Sequence, residues 1–402
     1  MPIAIKTRQT CRTCKGRLET ILDLGEQYIV SFGDKPLEKA PLELTKCDKC
    51  HLVQLRHTVD PEFLFRHYYY ASGTNQTMRD HLKGIVQDVT KRVTLKEDDT
   101  VIDIGANDCT LLSYYPSEVK KIGYEPADIV PIRGIDKLQV FRDFFNNKIW
   151  GSWGIPETKI ITAISMFYDL DNPNAFLQDI KRVLTPDGLF VIQQNYLPAM
   201  LENNAVDNIV HEHLCYYSLY TLDKLLIKNG FAITDYSFND LNGGSFRVYV
   251  RHSDKSQLAD FPEEGNKLHT LAPYQEFRDR VGEIAYRLQT FVPTEKFKGK
   301  TTYVYGASTR GAVILQLARL LDPTLIPFAV ERNPAKFGTL YLGKIPVISE
   351  EQARKNPPDY YLVLPWHFKT EILEREEVFL RSGGKMIFPL PWPTIEPSGE
   401  AL

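Results

Sequence analysis

Thr100-Val101-Ile102-Asp103-Ile104-Gly105-Ala106-Asn107-Asp108 is a short apolar run that stops at a glycine and passes into a polar turn. Residues 108–115 beyond it can start a helix, so the stretch predicts strand, tight turn and helix, the opening unit of a Rossmann-like domain. Apolar runs at 121–124, 159–166 and 189–193 predict further strands, and residues 173–184 an amphipathic helix ending before the turn Pro186-Asp187-Gly188. Strand and helix alternate, which favours a parallel sheet. A late strand over 246–251, behind Gly243-Gly244, closes this unit. Upstream, the aromatic cluster Phe63, Phe65, Tyr68, Tyr69 and Tyr70 leads through the polar hinge Ser72-Gly73-Thr74 into a helix predicted over 76–91. Downstream, residues 254–300 are polar and charged with helical spacing over 274–288, and read as a helical connection. A second alternating unit then opens with a strand over 301–305, the turn Gly306-Ala307-Ser308-Thr309-Arg310-Gly311 and a helix to 321. Strands over 326–330 and 360–364 follow, so a second Rossmann-like domain is expected.

At 402 residues the chain is too long for one core and has room for two or three domains. Its 48 basic and 51 acidic residues leave a net charge of -3, which argues against work on a phosphate backbone, so no nucleic-acid partner is expected. No apolar run reaches the length of a bilayer span, and the N-terminal residues lack the apolar stretch of a secretory signal; a cytoplasmic location without membrane contact is expected. Six cysteines are too few for a disulfide framework in such a chain. Four of them form Cys11-Arg12-Thr13-Cys14 and Cys47-Asp48-Lys49-Cys50. A two-residue gap lets one turn present two sulfurs to a tetrahedral ion, and two such turns close the shell, so Cys11, Cys14, Cys47 and Cys50 are expected to hold a structural zinc. His51 reads as a bystander, and Cys109 and Cys215 as packing residues.

A dinucleotide site usually offers Gly-x-Gly-x-x-Gly, because backbone must approach a pyrophosphate closely. The turn at Gly105 has one glycine and the carboxylates Asp103 and Asp108. These repel a pyrophosphate and suit a ligand carrying ammonium and sulfonium charge, which S-adenosylmethionine does. Glu125 ends the next predicted strand, where a carboxylate can accept both ribose hydroxyls; taken alone it reads equally as a solvated strand end. The segment His211-Glu212-His213-Leu214-Cys215-Tyr216-Tyr217-Ser218 lacks the i, i+4 histidine spacing of a helical zinc protease. A Glu beside a His can orient it, and tyrosines can donate to an enolate oxygen, as proton abstraction next to a carbonyl requires. A buried polar cluster serving loop backbone is the other reading, and both stand. The Gly306 turn continues into Ala312 where an ATPase loop has lysine; its amides with Arg310 can hold a diphosphate, or it is a plain strand-to-helix turn. Trp366 either stacks on a base or packs.

The two cysteine pairs, Tyr70-Ala71-Ser72-Gly73-Thr74, the 103–108 turn, Met166-Phe167-Tyr168-Asp169-Leu170-Asp171 and His211-Glu212-His213-Leu214-x-Tyr216-Tyr217-Ser218 together resemble the zinc-containing sugar C-methyltransferases of deoxysugar biosynthesis. The resemblance spans nearly the whole chain, including Glu331-Arg332-Asn333-Pro334 and Leu364-Pro365-Trp366-His367-Phe368. It implies a zinc-binding domain (1–65), a class I methyltransferase domain (66–252), a helical connection (253–298) and a C-terminal Rossmann-like domain (299–402). It implies a nucleotide-linked 4-keto sugar as substrate, deprotonated at C3 by His213 and methylated on the enolate. Glu212 would orient the base, His211 stand in reserve, and Tyr70 and Tyr216 donate to the oxyanion. Tyr70, Ser72, Asp103, Gly105, Asn107, Asp108 and Glu125 would meet the cofactor. Tyr196, Tyr217, Gly243, Gly244, Ser308, Arg310, Glu331, Asn333 and Trp366 would meet the substrate between the domains. This chain departs from the pattern in Val210, Asp169, Gln193 and Asn242, where relatives carry tyrosine, histidine, glutamate and histidine. O- or N-methylation of a sugar or small metabolite is the competing enzymatic expectation, and a zinc-ribbon protein acting on nucleic acid the competing class.

Overall fold

A computed structural model of the chain describes residues 3–30, 37–66, 71–146, 157–255 and 261–402. The N-terminal part is a small β domain of β1 (Ile5–Thr7), β2 (Leu18–Tyr28), β3 (Lys39–Cys47), β4 (Val53–Leu55) and β5 (His57–Val59). Strands β2, β3 and β4 form an antiparallel meander, and β1 pairs with β5. Leu18 lies opposite Cys47 in the register, so the cysteine turn before β2 meets the one after β3.

The central sheet contains β6 (Thr100–Ile104), β7 (Lys120–Tyr124), β8 (Leu138–Phe141), β9 (Thr158–Ile164) and β10 (Leu184–Asn195). After β11 (Cys215–Tyr216), which leaves this sheet, come β12 (Phe231–Asn239) and β13 (Ser245–His252). The order is β12-β13-β10-β9-β6-β7-β8, with β13 antiparallel to both neighbours and the other pairings parallel. This is the class I methyltransferase form of the Rossmann-like fold. Side chains alternate across the strands: Val101, Ile160 and Val191 pack under the helix Gln76–Arg92, while Ile102, Ile161 and Phe190 pack under Pro173–Val183.

One expected helix is absent. Residues 108–115 are a series of turns with a single 3-10 turn at Leu112–Tyr114. Asn107 and Cys109 take positive φ (53° and 65°), and the Asp108 carboxylate accepts the Thr110 N–H at 3.1 Å. A side chain bonding its own backbone in this way competes with helix formation.

The helices Pro262–His269 and Ala272–Phe297 lead to the C-terminal domain. Its strands are β14 (Thr302–Tyr305), β15 (Ala329–Glu331), β16 (Leu340–Tyr341), β17 (Ile345–Ser349), β18 (Tyr360–Val363), β19 (Lys385–Phe388), β20 (Thr394–Glu396) and β21 (Glu400–Ala401). The order is β16-β17-β15-β14-β18-β19-β20-β21, and the five strands β17-β15-β14-β18-β19 are parallel. Strand β11 bridges two parts: Cys215 and Tyr216 add antiparallel to β4 opposite Gln54 and Val53. No helix among the described residues is long and apolar enough to cross a membrane.

Candidate active site

The carboxyl ends of β6, β7, β9 and β10 open into a cavity of about 1480 Å³, which the N-terminal β domain and the C-terminal domain complete. A parallel sheet places its ligand crevice at this end. Gly105 turns the chain out of β6 at φ +74°, and a Cβ there would lie 3.2 Å from Met166, so glycine keeps the turn open. Gly105 and Ala106 donate their N–H groups to the Tyr124 carbonyl at 2.8 and 3.0 Å, which ties the turn to the end of β7. Asp103 lines the cavity and accepts the Thr162 hydroxyl at 2.5 Å; burial pushes its carboxyl up to about 7. Glu125 also lines it, accepting the Asn107 and Ala127 N–H groups at 2.7 and 2.8 Å. Burial raises Glu125 against the opposing pull of these two amides.

The expected cofactor contacts divide. Asp103, Gly105, Asn107, Glu125 and Ser72 line the cavity. Asp108 does not: its Oδ2 accepts the Gly73 N–H at 2.7 Å while Oδ1 takes the Thr110 hydroxyl at 2.6 Å. Together with Asn107, whose Oδ1 accepts the Ser72 N–H at 2.9 Å, Asp108 straps the Ser72–Thr74 turn onto the cofactor turn. A Cβ on Gly73 would lie 2.8 Å from Asp108 Oδ2, so this approach needs glycine. Tyr70 lies outside the described residues.

In the loop before β11, Glu212 and His213 face the cavity. His213 Nδ1 lies 2.9 Å from the Asn208 carbonyl, which can only accept, so Nδ1 carries the proton and Nε2 the lone pair. Burial and the neighbouring Arg310 bring its pKa down to about 3, and the imidazole is a neutral base. Asn208, not Glu212, orients it, because Glu212 makes no hydrogen bond to His213. His211 is a correction to the expectation: its Nε2 sits 2.9 Å from the Ala40 carbonyl, away from the cavity, so it fastens the loop to β3 and cannot act as a reserve base. Tyr216 donates to the Asn208 carbonyl at 3.2 Å and sits in a small adjoining recess, not against the main cavity. Tyr217 is 1 % exposed and packs on Phe167, outside the cavity.

The C-terminal wall carries Ser308, Arg310, Glu331 and Asn333, with Arg332 and Lys336, which the motif reading had not selected. Ser308 caps the helix Thr309–Leu317 by accepting the Gly311 N–H at 3.0 Å. Arg310 pairs with Asp207 at 2.7 Å and donates to the Asn242 carbonyl at 2.9 Å, and Trp366 donates to the same Asp207 oxygen at 3.0 Å. These contacts lock the two larger domains together. They also remove Trp366 from the cavity, where it was expected to meet substrate. Gly243 and Gly244 likewise serve packing: a Cβ on Gly243 would lie 2.8 Å from the Trp366 ring, and one on Gly244 2.5 Å from Ala199. Tyr196 packs on Phe238 and borders the small recess only. Two residues outside the selected set also line the cavity: Asp169, in the turn after β9, which the sequence marked only as a departure from the motif, and Asn195, which ends β10 and donates to the Asn208 side chain at 2.5 Å. The rule that ligands gather at strand ends could have found both.

The four cysteine sulfurs lie within 4.8 Å of one another, with Cys11–Cys50 at 3.6 Å and Cys14–Cys47 at 3.4 Å. A tetrahedron with Zn–S bonds near 2.3 Å has edges of about 3.8 Å, so the set fits zinc. The backbone N–H groups of Thr13, Gly16 and Lys49 point at these sulfurs from 3.4 Å, and the Gln54 amide reaches Cys11 Sγ at 3.2 Å, as an outer shell around thiolates requires.

Three family models match consecutive parts of the chain: a zinc binding domain over residues 11–65, a methyltransferase domain over 78–236 and a C-methyltransferase C-terminal domain over 240–391. The C-methyltransferase NovU of Streptomyces niveus is 30% identical over 397 residues, covering 91% of this chain and 93% of that protein. Among solved structures, a chain of the complex formed with the Haloferax volcanii Trm112 methyltransferase activator is 15% identical and covers 45% of this chain and 94% of its own, with TM-score 0.37. A SAM dependent methyltransferase from Aquifex aeolicus is 18% identical and covers 43% of this chain and 97% of its own, with TM-score 0.30.

Proposed function

The chain belongs to the C-methyltransferase family, and from that premise we propose that its substrate is a nucleotide-linked 4-keto sugar, methylated at C3 through an enolate. The observation that carries the reading is the neutral His213, held by the Asn208 carbonyl with Nε2 available at the cavity. Carbon becomes a nucleophile only after a neighbouring carbonyl has acidified its hydrogen, so C-methylation of such a sugar needs a base, and a neutral imidazole is one at ordinary pH.

S-adenosylmethionine, held by the Gly105 turn, supplies a methyl group on a cationic sulfur. Asp103 and Glu125 offer that ligand negative charge and acceptors for its ribose, and the Ser72–Thr74 turn closes over them. On the opposite wall, Arg332 and the N-terminus of the helix Thr309–Leu317 suit the diphosphate of a sugar nucleotide, while Lys336 is held by Glu331 at 3.0 Å and the Ala307 carbonyl at 2.8 Å. Arg310 is already committed to Asp207 and acts there as a positioning residue. The sugar then spans the middle of the cavity between the two walls. His213 Nε2 takes the C3 proton, the C–H electron pair moves into the enolate, and the fixed walls would hold that carbon toward the bound methyl donor.

The test is hydrogen exchange. A 4-keto sugar nucleotide incubated with the protein and S-adenosylhomocysteine in deuterated water should take up deuterium at C3 at an enzyme-dependent rate. Methyl transfer to such a substrate without any exchange at C3 would contradict the enolate route and favour methylation of an oxygen or nitrogen.

A further inference from the structure

Among the described residues, no basic residue pairs with the carboxyl groups of Asp169 and Glu212 in the cavity. Asp169 stands in the turn Phe167–Asp169 after β9, and Glu212 in the loop before β11; both line the cavity with His213. Among the described residues neither forms an ion pair, and the Oδ1 atom of Asp169 is buried without a hydrogen-bond partner. An ionised carboxylate cannot stay desolvated and unpaired at low cost, and two neighbouring carboxyl groups without a cation between them keep a proton. Burial and the facing Glu212 raise Asp169 well above the carboxylate range, and burial pushes Glu212 up to about 7. A protonated carboxyl is a hydrogen-bond donor, the role an apolar pocket gives such a group in other enzymes that stabilise enolates.

The chemistry beside His213 needs such a donor. Tyr216, the expected one, has given its hydroxyl to the Asn208 carbonyl. We propose that Asp169, whose Oδ1 is buried without a partner at the cavity, donates a hydrogen bond to the substrate oxygen that becomes the enolate oxygen. This rests on the enolate reading above. As His213 Nε2 takes the C3 proton, the C–H pair becomes the C=C bond of the enolate, the carbonyl π pair moves onto oxygen, and the Asp169 O–H stabilises that charge without transferring its proton. The remaining negative charge of the pair, on Glu212, faces the imidazolium formed at His213. With S-adenosylmethionine bound, the enolate C3 would take its methyl group, the C–S electron pair staying on sulfur as a neutral sulfide.

Asp169→Ala and Asp169→Asn separate this role from others, because the amide keeps an N–H donor and cannot ionise. Both are compared with the unaltered chain for deuterium uptake at C3 of a 4-keto sugar nucleotide with S-adenosylhomocysteine, after zinc content and S-adenosylmethionine affinity have been matched. The alanine variant should exchange about 100- to 1,000-fold more slowly, the loss typical of one oxyanion donor, and the asparagine variant within about tenfold of the unaltered chain. Equal losses in the two variants, a greater loss in the asparagine variant, or no loss in either overturns the assignment. If the variants lose S-adenosylmethionine affinity or zinc together with exchange, Asp169 is structural and the assignment is likewise overturned. Absence of exchange in the unaltered chain overturns the enolate reading and this inference with it, whereas exchange unaffected by Asp169 overturns this inference alone.

Discussion

His213 shows how one carbonyl decides a role. The Asn208 oxygen fixes which ring nitrogen carries hydrogen, and burial keeps the ring neutral. Replacing His213 by alanine should slow methyl transfer by about 10²- to 10⁴-fold while leaving S-adenosylmethionine binding intact, as measured by single-turnover kinetics and calorimetry. Asp103 carries a second prediction. Its carboxyl, raised to about 7 by burial, must ionise to meet a cationic ligand, so cofactor affinity should rise as pH increases through 7. The gain approaches tenfold for each pH unit below that value and levels off above it. Titration calorimetry at several pH values should show this slope in the natural chain and lose it in Asp103→Asn. The sequence made these two residues legible because each sits beside a telling neighbour, a glycine turn or a second histidine. It concealed that His211 faces β3, since a side chain's direction in an irregular loop is set by contacts with Ala40, 171 residues away. Asp169 was legible only as a departure from the resembled motif, because its place at the cavity beside Glu212 is set by the fold.

At the level of elements, the site depends on two short pieces that carry no hydrophobic pattern. The Ser72–Thr74 turn is held by Asn107 and Asp108, and Gly73 is the point of closest approach. Gly73→Ala should displace the strap, cost about 1–3 kcal/mol of stability and weaken S-adenosylmethionine binding, both read by thermal melts with and without cofactor. Strand β11 bonds to β4 through Cys215 and Tyr216, directly after the His213 loop. Two residues are too few to produce a period, so no sequence pattern announces it. The sheet strands and amphipathic helices were legible because burial on both faces imprints apolar runs on β6 and β9, and burial of one face imprints helical spacing on Pro173–Val183. The helix expected over 108–115 failed because Asp108 spends its carboxylate on local amides.

Across the whole molecule, the cysteine knuckles support the Asp169 loop from a distance. Arg12, between Cys11 and Cys14, is buried and reaches Asp171 at 3.4 Å, and Lys6, Arg8 and Thr58 converge on the same carboxylate. Although burial opposes it, this cluster holds Asp171 well below the usual carboxylate range and anchors the loop bearing Asp169. Cys14→Ser should therefore release zinc, lower stability by about 4 kcal/mol or more, and reduce activity in step with the folded fraction; zinc analysis and denaturant melts read this directly. The order of the parts was legible in the sequence from the cysteine pairs and the two glycine turns. Their union was not, because Asp207, Arg310 and Trp366 are far apart in the chain and meet only in the fold. The atom that receives the methyl group defines the activity. With S-adenosylmethionine carrying a ¹³C-methyl group and a nucleotide-linked 4-keto sugar as acceptor, carbon NMR of the product should show the label bonded to a ring carbon next to the carbonyl; a label on oxygen or nitrogen, or an acceptor left unmethylated, would contradict C-methylation of that sugar.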